Sequence, residues 1–380
     1  MTNQSYDAIV IGTGGFGSSA LYQLAHRGLR VLGLDRFPPA HDRGSSHGQT
    51  RIIRQAYFEH VDYVPLLKRA YALWRDLEAE SGRDLMTLCG LLVAGPRDGI
   101  AVPGARFASQ KHDLELQNVS RAERETRFPG FRIPENFDAV FEAAGGYLLV
   151  EECVRTYLEL AQSNGAELLT GVTVTGWEAK HSTVVVETDR GTFEAAKLIL
   201  TPGAWASQLL NAIPEMPPFQ VVRKVLQWHP VRSPVYDLSA GGCGYFFEMP
   251  YGEFYGFPSL DGNKLKVGEH TGGEIVADPL LVDRNLHESD RVPVRKFLEQ
   301  VMPDIDPDPM DHAVCLYTKS PDCHFVIDQH PEHENVLFAA GFSGHGFKFT
   351  SVIGAALTDL AIDGTTELPI GFLSLARFSL

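Results

Sequence analysis

Residues 8–35 constrain this chain more than any other stretch. Ala8 to Ile11 is a short unbroken apolar run, the mark of a strand buried on both faces. GTGGFG follows at 12–17, and Gly12, Gly14 and Gly17 fit G-x-G-x-x-G. Ala20, Leu21, Leu24 and Ala25 then recur at helical spacing, and Gly28 is placed to end the helix. RVLGLD reads as a second strand closing on Asp35, 18 residues beyond Gly17, where an acceptor for ribose hydroxyls is expected. Gly12 permits the tight turn, Gly14 lets backbone approach a pyrophosphate, and Gly17 lets the helix pack close to the strand. The helix N-terminus then faces the phosphate charge. The motif alone is weak; strand, motif, helix, strand and acid in order predict a dinucleotide-binding unit. It does not separate NAD from FAD, and Asp35 disfavours a 2′-phosphate.

The other end of the chain resembles this beginning. ENVLFAA reads as a strand, GFSGHGFK as a glycine-rich loop, and TSVIGAALTDLAIDG as a helix closing on Gly364. A second strand–loop–helix suggests more backbone N–H groups aimed at a ligand. The nucleotide unit is therefore expected to be discontinuous, over 1–85, 145–215 and 321–380. The substrate unit, 86–144 and 216–320, is inserted between these pieces. Residues 55–80 carry helical spacing, and 181–201 reads as a hairpin turning at Asp189–Gly191. From 217 to 320 strand-like stretches and aromatics dominate, as expected of a mixed sheet aiming side chains into a cavity.

The formal net charge of −15 repels nucleic acid and anionic membrane, so neither is an expected partner. No apolar run reaches the ~20 residues of a membrane span. Cys89, Cys153, Cys243, Cys315 and Cys323 form neither a C-x-x-C pair nor a zinc spacing. An odd, scattered set argues for free thiols in a reducing compartment. With no signal-peptide pattern at the N-terminus, the expectation is a cytoplasmic enzyme without a bound metal. Cys315 lies in HAVCLYTK, where strand alternation puts Cys315, Tyr317 and Lys319 on one face. A buried free thiol is the commonest fate of such a cysteine.

Together the segments GTGGFG, GSSHGQTRIIRQAY (44–57), YGFPS (255–259), LKVGEH (265–270), AVCLYTK (313–319) and GFSGHGFK (341–348) resemble the monomeric sarcosine oxidase and N-methyltryptophan oxidase family of flavoenzymes, end to end. The resemblance implies an α/β fold: a Rossmann-like FAD-binding domain carrying an inserted substrate domain on a mixed, largely antiparallel sheet. It implies FAD as cofactor, tied through Cys315 as an 8α-S-cysteinyl thioether. It implies a monomer that oxidises a secondary amino acid with dioxygen.

Residue roles follow from the same resemblance. Arg54 and Lys348 would hold the substrate carboxylate, one bidentately and one as a point charge. Arg51 and Lys266 would line the flavin, and Lys266 would stabilise charge developing on dioxygen. Tyr255, His270, Tyr317 and His345 would line the substrate cavity, the histidines tuning or accepting the amine proton. Gly344 and the glycine loop around it would face the flavin. Two geometric expectations accompany these roles: Arg51 and Arg54 share a face if TRIIR is helical, and Lys266 and His270 share a face of one strand.

Gln55, Phe58 and Glu269 depart from the family pattern, which puts the substrate's side chain in question. The expected reaction converts sarcosine, dioxygen and water to glycine, formaldehyde and hydrogen peroxide. N-methyltryptophan-like, pipecolate- or proline-like and fructosyl amino acids are alternatives. So are a flavin dehydrogenase serving another electron carrier and a catalytically silent FAD-binding module.

Overall fold

The computed structural model describes residues 5–378. Two large sheets organise it. In the first, Ser5–Ile11 lies parallel to both Val31–Asp35 and Gly191–Leu200, and Glu167–Thr170 extends the sheet beyond Val31–Asp35. Gly191–Leu200 does two jobs. Its first half closes the predicted hairpin with Thr183–Thr188, and its second half runs parallel to His333–Ala340. Ile9, Val10, Leu32 and Leu34 are buried completely, as their unbroken apolar sequence requires.

The second sheet has nine strands, drawn from 91–142 and 220–319. Its one parallel contact is Gly244–Met249 against Leu91–Pro96, so it is mixed and largely antiparallel. Helix Glu288–Val301 covers one face through Val294, Phe297 and Leu298. The other face, carrying Leu226, Trp228, Tyr255 and Cys315, looks toward the first half of the molecule.

The two chain ends meet at the glycine loops. Phe16 stacks on Phe342 with ring centroids 3.4 Å apart, and a Cβ on Gly354 would meet Ser19 Cβ at 2.7 Å. This close approach brings helix Thr350–Asp363 against helix Gly15–His26.

Three local expectations fail. Helix Tyr63–Ser81 starts eight residues later than the periodicity at 55–80 suggests. Pro65 has no N–H for a preceding turn, and the N–H groups of Gln55 and Ala56 are captured by the Glu142 carboxylate at 2.6 and 3.1 Å. TRIIR is not helical either: Thr50–Ile53 is a strand paired with Gly146–Leu149, so Arg51 and Arg54 share no helical face. Lys266 lies within strand Lys264–Glu269, but His270 falls just past its end.

Candidate active site

A long cavity runs from Asp35 past the first glycine loop to Arg51, Cys315 and Tyr317. A Cβ on Gly17 would lie 1.9 Å from the Gly12 carbonyl oxygen, so only glycine lets the helix start there. A Cβ on Gly14 would meet nothing nearer than Ser46 Oγ at 3.7 Å, leaving the backbone open to the cavity. The N-cap residue of helix Gly15–His26, Gly14, offers no capping side chain; Ser46 Oγ accepts the Gly15 N–H at 3.1 Å, and the turn that follows presents its N-terminal dipole to an anion in the cavity. Asp35 lines the cavity, its carboxylate steadied by the Thr13 N–H at 2.7 Å and the Phe37 N–H at 2.9 Å. A long apolar trough with a helix N-terminus and a fixed carboxylate fits a dinucleotide such as FAD.

At its far end the cavity reaches Cys315, which is 1% exposed. Burial by itself would push the thiol up. The Arg51 guanidinium, whose Nη2 is 3.2 Å from Sγ, and then His47 bring it down to about 7. A buried thiol at that value carries substantial thiolate near neutrality.

A smaller cavity abuts the long one. Arg51, Tyr317, Gly344 and Phe347 line both. Arg54, Glu59, Tyr255, His270, His345 and Lys348 complete its polar wall. Arg54 and Lys348 are 4% and 5% exposed, two cations buried side by side. Lys348 Nζ donates to the His345 carbonyl at 2.6 Å, and its own value falls to about 7 through burial and then Arg54. Arg54 is held by a carboxylate of the protein: its Nη2 donates to both oxygens of Glu59 at 2.7 and 2.6 Å. Burial opposes ionisation of Glu59, but Arg54, His345 and Lys348 win and hold it down to about 2.

The two histidines are neutral near pH 7. Burial, then His345, takes His270 down to about 3, and burial takes His345 to about 4. His345 Nε2 lies 2.9 Å from the Cys323 carbonyl, which can only accept, so Nε2 carries the proton. Nδ1 then accepts from the Tyr57 hydroxyl at 2.5 Å. Both ring nitrogens of His345 are thus engaged within the protein. His270 Nδ1 faces the Tyr317 hydroxyl at 3.3 Å.

Lys266 is brought to a different place. It is 2% exposed, lines neither the long cavity nor the substrate-sized one, and donates to the carbonyls of Gly48 and Thr50 at 2.7 and 2.5 Å, so the expected place on the flavin wall is taken by Arg51 alone of the two. Of the three departures, Phe58 packs over Arg54, with the guanidinium carbon 3.9 Å from its ring centroid, and against Phe246 at 5.0 Å. Gln55 contributes its N–H to Glu142, and Glu269 bonds Thr271 rather than lining the cavity. Sequence reasoning missed Glu59, Tyr57 and Glu142. No spacing marks them, because loop conformation and sheet pairing bring them to Arg54 and His345.

The chain matches the family described as FAD dependent oxidoreductase over residues 7–360. It is 42% identical to monomeric sarcosine oxidase of Arthrobacter sp. (strain TE1826) over 377 residues, covering 98% of this chain and 97% of that protein. It is 36% identical to N-methyl-L-tryptophan oxidase of Yersinia pestis (strain Pestoides F), covering 98% and 99%. Among solved structures it is similar to NikD, described as an unusual amino acid oxidase essential for nikkomycin biosynthesis. There the TM-score is 0.86 at 27% identity, over 98% of this chain and 97% of that one.

Proposed function

Since this chain belongs to the FAD-dependent oxidoreductase family and is a flavin-dependent amine oxidase, we propose that its substrate is a secondary, N-methylated amino acid, with sarcosine first. The observation that carries this reading is the shared wall. A cavity with two buried cations opens directly onto the cavity that fits FAD, through Arg51, Tyr317, Gly344 and Phe347. A small carboxylate held by Arg54 and Lys348 therefore keeps its neighbouring atoms within reach of the cofactor. Bound FAD supplies the redox chemistry, taking a hydride equivalent from the carbon next to nitrogen and passing the electrons to dioxygen.

The protein's own residues have the remaining tasks. Arg54 and Lys348 bind the carboxylate; Tyr255, Tyr317 and His270 form the wall beside it; His345, saturated by Tyr57 and Cys323, holds the floor and the Lys348 carbonyl partner in place. With both histidines neutral, the site favours a substrate that sheds its amine proton on binding. Lys266, buried behind Arg51 and Cys315 of the long cavity, supplies the positive charge that stabilises charge developing on dioxygen. Cys315 tethers the flavin through sulfur, a role suited to its lowered value and its place at the end of the long cavity. Phe246 narrows the cavity, backed by Phe58, and the pair favours a small side chain. On this reading 1–85, 145–215 and 321–380 form the FAD unit and 86–144 and 216–320 the substrate unit. The protein works as a cytoplasmic monomer.

Anaerobic titration of the yellow protein with sarcosine, followed at the flavin band at about 450 nm, tests the proposal. Bleaching that reverses on admitting air is the expected result. If sarcosine leaves the band unchanged while an N-methylated aromatic, proline-like or fructosyl amino acid bleaches it, the proposed substrate is wrong and the enzyme class stands.

A further inference from the structure

The backbone beneath Lys266 is held in a conformation that needs an explanation. Gln49 has φ +73°, left-handed for a residue with a side chain, which persists only where the surroundings impose it. Two charged groups do so. Glu151 accepts the Gly48 N–H at 2.6 Å, and its two oxygens lie 3.2 and 3.1 Å from the Gln49 nitrogen. From the other side Lys266 donates to the carbonyls of Gly48 and Thr50. The Gly48 carbonyl and the Gln49 N–H belong to one peptide unit. Its dipole lies between a carboxylate and an ammonium, N–H toward the first and C=O toward the second. Such a chain of hydrogen bonds polarises and strengthens itself.

The segment has no freedom to slide. The Val150 N–H bonds the Gln49 carbonyl at 3.0 Å, and the Trp228 indole N–H bonds the Gln49 side chain at 3.1 Å. A Cβ on Gly48 would lie 2.3 Å from Leu226 Cδ1. We infer that Glu151 is a positioning residue for Lys266, holding its ammonium in place and charged across the Gly48–Gln49 peptide. This rests on the reading of Lys266 as the oxygen-activating group. The groups facing Lys266 are Arg51, Cys315, Glu151 and the rings of Phe257 and Trp228. Burial, then Arg51, favours loss of its proton; Glu151 opposes them, with Cys315 adding to it. The simpler role for Glu151 is as a first-turn acid of helix Val150–Ser163, complementing the helix dipole as its exposed neighbour Glu152 does.

The test uses holoenzyme labelled with 15N-lysine, in which the Lys266 Nζ signal is assigned by its loss in Lys266→Met. Stopped-flow measurements of anaerobic reduction and of reoxidation by dioxygen accompany it. In Glu151→Gln the titration midpoint of Lys266 falls by about one pH unit, and reoxidation above that midpoint slows about tenfold. Reduction stays within about twofold, and Glu152→Gln changes none of these. Should Glu151→Gln not fold, Glu151→Asp, with its charge one methylene farther away, shows a smaller shift in the same direction. A Lys266 midpoint and reoxidation rate unchanged in the Glu151 variant, with reoxidation slowed in Lys266→Met, would leave Glu151 a helix acid and overturn the inference. Unchanged reoxidation in Lys266→Met itself would overturn it through its premise.

Discussion

Lys348 gives the sharpest handle on the carboxylate clamp. Its ammonium is 5% exposed and bonds one backbone carbonyl. Burial and Arg54 lower it from 10.5 to about 7, while Glu59 pulls the other way. Roughly half the molecules then lack the Lys348 charge at pH 7. A ligand carboxylate between Arg54 and Lys348 raises that value, so binding takes up a proton. Affinity must weaken above pH 7, by roughly tenfold per unit until the lysine of the complex also titrates. Methoxyacetate, an oxygen isostere of sarcosine with no titratable amine, isolates the effect. Its Kd, read from the flavin spectrum, should be flat from pH 5.5 to 6.5 and rise steeply from 7 to 9. In Lys348→Met the slope should vanish. Binding at pH 6 should weaken by the worth of one charge-assisted hydrogen bond, about 1.5–3 kcal/mol, or roughly 10- to 100-fold in Kd. A parent Kd that stays flat to pH 9, or a slope that survives in Lys348→Met, would refute the reasoning. The same depression has a stability consequence of definite sign. Between pH 7 and 10.5 the unfolded chain holds a proton that the folded one has released, so this group makes the fold more stable as pH rises.

Three further outcomes are expected. Trichloroacetic acid should precipitate the parent yellow and Cys315→Ser colourless; colour in the parent supernatant would remove the thioether. The Glu59 carboxylate, lowered from 4.5 to about 2, contributes stability that is complete above pH 4.5. On its linkage that contribution, of the order of 3 kcal/mol, is lost as pH falls toward 2; chemical denaturation of Glu59→Gln should show a correspondingly shallower acid limb. Phe58→Ala, which removes the ring that backs the wall residue Phe246, should raise kcat/KM for N-methyltryptophan relative to sarcosine about tenfold; an unchanged ratio would place the specificity elsewhere.

The sequence by itself determined what depends on neighbours along the chain. The first glycine loop was legible because strand, loop and helix act within one turn of backbone, and the steric demand at Gly17 is met by Gly12, five residues away. Cys315 and Tyr317 could be placed on one face because strand parity is a two-residue rule, and both do line the long cavity. Only the tertiary structure decided the electrostatics. Arg54 meets Glu59 because 55–62 is loop and not helix, and that loop depends on Glu142, 86 and 87 residues away from the N–H groups it holds. Glu151 reaches Gly48 and Gln49 across 103 and 102 residues. The charge states of Lys266, His270, His345 and Lys348 follow from burial, which belongs to the packed molecule and not to any stretch of its sequence.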